Sequence, residues 1–386
     1  MLQSKNSGSD VRAPYMRAAN VQPDGVLAID DVKEMWFGEG ELEHLRIRAG
    51  DVVVVEGGQG GFGRAAFIDK DLPGWGFQNS INRLRSIGDF DGRYIAYYLI
   101  ALRASGFIRA YSNVVSMPHL TAEKLARIPI LMPPVELQRD IADYLDRETA
   151  RIDTLIEEQQ QLIEMLRERR AAAISNAALD ATSVRTQLRR VVDVIDCAHV
   201  TAEFVDDDKR YPVASIRECQ GATVDLSGCN YTTEEFFEHL RASGRAPRPG
   251  DLLFIRNVSV GLVSVVTSDL PEFAVGQETV LLRRSRDIDP SFLRYTLIGA
   301  EVRHAIESAM IGSTFRRINV SAIRALPVPI PSLDEQRRIA VQLDEQTAKT
   351  DTLIEETERF IDLSRERRSA LITAAVTGQI DVRGAA

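Results

Sequence analysis

Asp153-Thr-Leu-Ile-Glu-Glu158 recurs unchanged as Asp351-Thr-Leu-Ile-Glu-Glu356, and Arg167-Glu-Arg-Arg170 recurs as Arg365-Glu-Arg-Arg368. Both pairs lie 198 residues apart. At that shift Pro129-Ile-Leu-Met-Pro133 falls on Pro327-Val-Pro-Ile-Pro331, and 23 of the 46 positions from Pro129 to Ile174 are identical without a gap. Such identity across ungapped sequence of mixed composition marks a duplication, and a duplication decides the fold before any local reading does.

The duplicated stretch is helical. Residues 135–175 hold neither Gly nor Pro and are rich in Glu, Gln, Arg, Leu and Ala, the residues that lose least on entering a helix. Ile141, Leu145, Ile152, Leu155, Ile156, Leu162, Ile163 and Leu166 recur mostly at three-, four- and seven-residue steps, as do Ile339, Leu343, Leu353, Ile354, Phe360 and Ile361 in the second copy. This is the narrow apolar stripe of a helix that packs on a partner. Forty residues at about 1.5 Å each span about 60 Å. Each helix has a matching partner in the other copy, so an antiparallel coiled coil with a pseudo-two-fold repeat is expected.

Upstream the repeat fades. Gly50-Asp51 resembles Gly250-Asp251, Leu72-Pro73 falls on Leu270-Pro271, and Tyr97 falls on Tyr295. Residues 51–56, 65–68, 252–255 and 262–266 read as strands; 94–102 and 292–298 read as short helices. The expected fold class is α+β. Two mixed α/β units, 1–127 and 181–325, alternate with two constant helical segments, 128–180 and 326–386.

Composition narrows the function. The 386 residues carry 56 acidic and 47 basic side chains, a formal charge of −9. That excludes a polybasic arm with indiscriminate affinity for nucleic acid, but not a reader with a local basic surface. Three cysteines, Cys197, Cys219 and Cys229, do not make a secreted disulfide framework. Nor do they, with His199, show the close pair spacing of a structural zinc site. No apolar run approaches the ~18 residues of a membrane helix, and a cytoplasmic location is expected. Gly58-Gln-Gly-Gly-Phe-Gly63 fits a dinucleotide fingerprint in letters. It is followed by a second strand where the fingerprint requires a helix, so it reads as a turn. Phosphate-loop and His-Glu-x-x-His motifs are absent, and Pro133-Pro134 lacks the preceding Asn or Asp of an amino-methyltransferase loop. The chain reads as non-catalytic.

The order variable, constant, variable, constant resembles the specificity subunit of type I restriction-modification enzymes. The resemblance rests on Leu326-Pro-Val-Pro-Ile-Pro-Ser-Leu-Asp-Glu-Gln-Arg-Arg-Ile-Ala340, Arg365-Glu-Arg-Arg-Ser-Ala-Leu-Ile372 and Ala375-Val-Thr-Gly-Gln-Ile-Asp381. Asp196-Cys-Ala-His-Val-Thr201 and Arg248-Pro-Gly-Asp-Leu-Leu-Phe254 add to it. It implies two target recognition domains, each reading half of a bipartite site in double-stranded DNA, and helices that set the spacer and dock methyltransferase subunits. It further implies restriction subunits and a role in phage defence. S-adenosylmethionine, ATP and Mg would belong to those partners, and this chain would hold no cofactor or metal. A self-contained DNA modification enzyme and a coiled-coil protein-binding adaptor are the alternatives.

Arg suits guanine, Asn and Gln suit adenine, and Ser, Thr and Arg suit phosphate. On that chemistry the DNA-facing candidates are Gln59, Arg64, Gln78, Asn79 and Asn113 in the first unit. In the second they are His199, Thr201, Arg256, Asn257, Gln277, Ser313, Thr314, Arg316 and Arg317. Tyr15-Met-Arg-Ala-Ala-Asn20 resembles Tyr211-Pro-Val-Ala-Ser-Ile216. Only 14 residues precede Tyr15, whereas about 30 separate the first helix from Tyr211. The first unit is therefore expected to lack an opening strand and turn.

Overall fold

The computed structural model describes residues 8–58, 61–112, 119–180, 184–196, 202–205, 211–284, 287–310 and 317–384. The chain divides into two compact units, residues 1–160 with 357–386, and residues 161–356.

The first unit is built on β1 (Val11–Met16), β2 (Glu34–Phe37), β3 (Val52–Val55), β4 (Ala65–Phe67), β5 (Gly76–Phe77) and β6 (Ile81–Leu84). Its helices are α1 (Glu41–His44), α2 (Gly92–Ala104), α3 (Phe107–Tyr111), α4 (Ala122–Leu125) and the start of the long α5 (Val135–Asp180). One antiparallel sheet runs β4-β3-β6 and a second sheet runs β2-β1-β5. All four valines of β3 are buried because the strand divides two cores. Val52 and Val54 face α2 and the start of α5, while Val53 and Val55 face Met16, Ile47 and Ile68. A strand covered on both faces reads as a continuous apolar run rather than an alternating one, as Val52 to Val55 does.

The second unit holds β7 (Arg185–Gln187), β8 (Val192–Asp196), β9 (Tyr211–Ala214), β10 (Asn230–Thr232), β11 (Leu252–Ile255), β12 (Val263–Val265), β13 (Ala274–Val275), β14 (Thr279–Arg284) and β15 (Pro327–Pro329). Its helices are α6 (Glu234–Ala242), α7 (Pro290–Ile298), α8 (Ala300–Met310), α9 (Val320–Ala325) and the start of the long α10 (Leu333–Val376). Here β11 is the divider: Leu252 and Phe254 enter one core, Leu253 and Ile255 the other. The main sheet runs β12-β11-β14-β8, and β15 pairs with β7. Among the described residues of the first unit no strand corresponds to β7 or β8, and β6 lies at the edge of its sheet.

Pairing corrects one alignment read from sequence. Met16 pairs with Phe77 as Ala214 pairs with Val275, so the structural equivalent of Tyr15 is Val213, not Tyr211. The shift of 198 thus holds at β1 and β9 and again from β4 and β12 onward, but it is 200 at β3 and β11, where Val52 matches Leu252. Val55 and Gly63 close the turn after β3 as Ile255 and Gly261 close the turn after β11. The glycine-rich turn is therefore two residues longer in the first unit, and it joins antiparallel strands β3 and β4.

The long helices are continuous elements of 46 and 44 residues. In the first unit Asp140 pairs with Arg383 at 3.7 Å and Asp153 with Arg368 at 2.9 Å, so the two chain segments run antiparallel. In the second unit Arg170 meets Asp351 at 3.0 Å, and Ile174 shares a core with Ile339 and Leu343, again antiparallel. Of the stripe read from sequence, Ile152, Leu155 and Leu166 are half-buried, whereas Leu162, Leu353 and Phe360 are exposed. Leu145, Ile163, Leu343 and Ile361 of that stripe are buried, in rows that also contain Thr149 and Ile174 on α5 and Thr347, Thr357, Ser364 and Ile372 on α10. Small hydroxyl residues fill part of these rows, so large apolar side chains alone mark them incompletely and bring in more exposed neighbours.

Candidate nucleic-acid interface

Each unit is fastened to a long helix by the same polar lock. Gln138, in the first turn of α5, is buried; its side-chain amide donates to Pro133 O at 2.8 Å and accepts from Asp91 N at 3.1 Å. Gln336 repeats this on α10, donating to Pro331 O at 3.0 Å and accepting from Asp289 N at 2.9 Å. Asp91 and Asp289 in turn cap α2 and α7, accepting from Tyr94 N at 3.3 Å and Phe292 N at 3.0 Å. A cap whose own backbone N–H is bonded to the next helix couples the two helices' orientations. One turn on, the Tyr97 hydroxyl donates to Asp146 at 2.7 Å, and the Tyr295 hydroxyl donates to Asp344 at 2.7 Å. Burial first, then the neighbouring carboxylate, raise both phenols above their ordinary value. Arg93 bridges Asp91, Asp143 and Asp146 in the first unit only. Sequence reading marked Tyr97 and Tyr295 as repeated, but not the bonds they make.

In each unit three connections converge. In the first, Glu56 after β3 donates from its N–H to Ser80 O at 2.8 Å, and Leu120 N donates to Glu56 O at 2.7 Å. In the second, Arg256 N donates to Glu278 O at 2.9 Å, and Ile318 N donates to Arg256 O at 3.0 Å. Bridges Gly57–His119 and Asn257–Arg317 reinforce the same junctions. The β3–β4 turn, the β5–β6 turn and the segment before α4 thus meet, as do their equivalents in the second unit.

The candidates among the described residues belong to these connections. Arg64, Gln78 and Asn79 lie in the first unit's cluster, and Arg256, Asn257, Gln277 and Arg317 in the second's. Gln59, Asn113, His199, Thr201, Ser313, Thr314 and Arg316 fall outside the described residues. Asn79 and Gln277 occupy equivalent turn positions, and both are exposed. Arg317 is exposed; Gln78 and Asn257 are half-buried. Arg64 is half-buried too, with a guanidinium that reaches Val21 O at 3.5 Å. Arg256 is not a surface side chain: it is 3% exposed and its guanidinium meets Asp196 at 2.6 Å. It braces the connection from inside and ties the end of β8 to it. Arg241 is likewise engaged, with Glu238 at 2.9 Å and with Glu272. Cys219 and Cys229 are buried free thiols, and no three metal-ligating side chains gather among the described residues. No helix among them is long and apolar enough to cross a membrane.

Two α/β units, each presenting a cluster of polar connections and each locked to a duplicated long helix, define a duplicated recognition protein. The family model for the type I restriction modification DNA specificity domain matches residues 9–165 and 211–361, and the chain belongs to that family. The specificity subunit of the StySPI type I enzyme of Salmonella potsdam is 29% identical over 99 residues, which are 26% of this chain and 21% of that protein. The MjaVIII specificity subunit of Methanocaldococcus jannaschii is 20% identical over 310 residues, covering 74% of this chain and 70% of that protein. Among solved structures, a chain from a study of complex assembly and conformational transition in the type I R-M system aligns with a TM-score of 0.75. That alignment has 17% identity and covers 95% of this chain and 92% of the other. The HsdS subunit of Thermoanaerobacter tengcongensis aligns at 0.55 with 17% identity over 96% and 92%. These likenesses bear on the fold.

Proposed function

We propose that the chain is the DNA-reading subunit of a type I restriction-modification complex and performs no chemistry of its own. The observation that carries this reading is the duplicated convergence of three polar connections, one set per unit, each locked to a long helix at the same register. A bipartite site needs two readers, and joining two modest readers gives a rare target with useful affinity. Asn79 and Gln277, at equivalent exposed turns, suit adenine edges, and Arg317 suits guanine or phosphate. The bridging helices act as the spacer ruler, and their exposed row, Leu162, Leu353 and Phe360, receives methyltransferase subunits. S-adenosylmethionine, ATP and Mg are held by partner subunits, restriction subunits included, and the complex works in the cytoplasm. The test is co-expression with a methyltransferase subunit followed by genome-wide mapping of adenine methylation. Replacing Gln277 should alter one half of the methylated motif and Asn79 the other; methylation by the chain alone, or a motif indifferent to both, refutes the reading.

A further inference from the structure

In the second unit α7, α8, the β11–β12 turn, residues 219–222, Arg170 of α5 and Asp351 of α10 line an open cavity of about 660 Å³, within the range of small-molecule sites. Arg294 of α7 lines it and is 91% buried, with 9% of its surface exposed. Its Nε donates to Val263 O at 3.0 Å, while its two terminal nitrogens meet no protein acceptor and no carboxylate pairs with it. A side chain so largely withdrawn from water, with no ion-pair partner for its guanidinium, is in an unfavourable state that an anion in the cavity would relieve. The fold does not require an arginine here, because the equivalent position in α2 is Ala96, also buried.

Asp344 and Asp351 favour the charged guanidinium from a distance and Arg170 opposes them, but none of the carboxylates forms an ion pair with it. Asp351 in the wall is engaged by Arg170, and Glu307 is exposed on α8. Arg303, a second cation of the wall, donates to Ile298 O at 3.2 Å. Leu297 and Ile306 give the cavity a buried apolar side. Cys219 also lines it, but burial pushes its thiol up to about 12, so covalent capture is not its role. The first unit's counterpart is 340 Å³, and the Asp24–Gly25 turn occupies part of the space, with Arg368 donating to Asp24 O at 3.2 Å.

From this geometry we infer that the cavity is a binding site for a small organic oxyanion. A phosphate or carboxylate group would meet the Arg294 fork, and an apolar or planar body would lie against Leu297 and Ile306. Bidentate pairing is the interaction a guanidinium offers and an ammonium does not. The site is peculiar to the second unit.

Calorimetric titration of the full chain with adenosine monophosphate, benzoate and inorganic phosphate tests this. At least one organic anion should bind at one site per chain and more tightly than inorganic phosphate. R294A should weaken it ten-fold or more, and R294K should recover only part. R294A copies the natural Ala96 of the first unit, so it should fold, which its melting curve checks. Absence of saturable binding, binding indifferent to R294A, or inorganic phosphate binding as well as the organic anions overturns the proposal. So does an R294A variant whose only defect is weaker duplex DNA binding, since the guanidinium would then serve a phosphodiester.

Discussion

Val258 has φ +60 and 69% of its surface exposed in the β11–β12 turn. A β-branched residue in the left-handed region is strained by about 1–2 kcal/mol, and here little burial offsets it. Val258→Gly should therefore raise stability by about 1 kcal/mol, the backbone strain outweighing glycine's greater chain entropy; an unchanged or lower urea midpoint counts against strain. Tyr97 and Tyr295 carry the second residue-scale expectation. Each donates to a carboxylate, so Tyr97→Phe or Tyr295→Phe should lose about 1.5–3 kcal/mol. Both phenols titrate higher folded than unfolded. The folded state then binds more protons above the unfolded value, so their contribution is complete below about pH 10 and falls as pH rises further. The double Phe variant should show a flatter loss of stability between about pH 10 and 12; an identical slope would mean that the phenols do not contribute. At this scale the sequence marks both tyrosines by repetition, whereas Arg256 reads as a surface arginine because nothing local announces its ion pair with Asp196, 60 residues earlier.

Elements were legible where periodicity is strong. The reading of 252–255 as a strand matches β11, and the absence of Gly and Pro after 134 announces α5. Short elements such as β13 and α4, of two and four residues, carry no periodic signal. The register of the long helices was only partly legible, because buried Thr149, Thr347, Thr357 and Ser364 do not look like core positions, while exposed Leu353 and Phe360 do. Separating these rows gives a prediction. Leu353→Asp and Phe360→Asp should change stability by no more than about 0.5 kcal/mol each, as for surface positions. They should nonetheless abolish co-purification with the methyltransferase subunit. Leu145→Asp, at a fully buried position, should unfold the first unit instead. If the two exposed variants retain the partner, the row between Leu162 and Phe360 is not the dock.

Across the whole molecule, the 198-residue shift applies to the Gln138 and Gln336 locks, the Tyr97 and Tyr295 bonds and the Asp153–Arg368 and Arg170–Asp351 pairs alike. Duplication made the architecture readable; the target motif is not, because the residues that would read it lie where the copies diverge. The division between units falls at residues 160/161 and 356/357, inside α5 and α10. If those helices set the distance between half-sites, residue count should control it. Four residues inserted after Gln159 add about 6 Å to α5. At about 3.4 Å per base pair, the unread spacer should lengthen by about one to two base pairs. The insertion alone mismatches the two helices, so stability should fall, and a matching insertion after Thr357 should restore it. The bases read in each half should stay as they were, because Asn79, Gln277 and their connections are untouched. Methylation mapping of the double insertion reads spacer and half-sites together; an unchanged spacer, or altered bases with an unchanged fold, would remove the helices from the geometry of recognition.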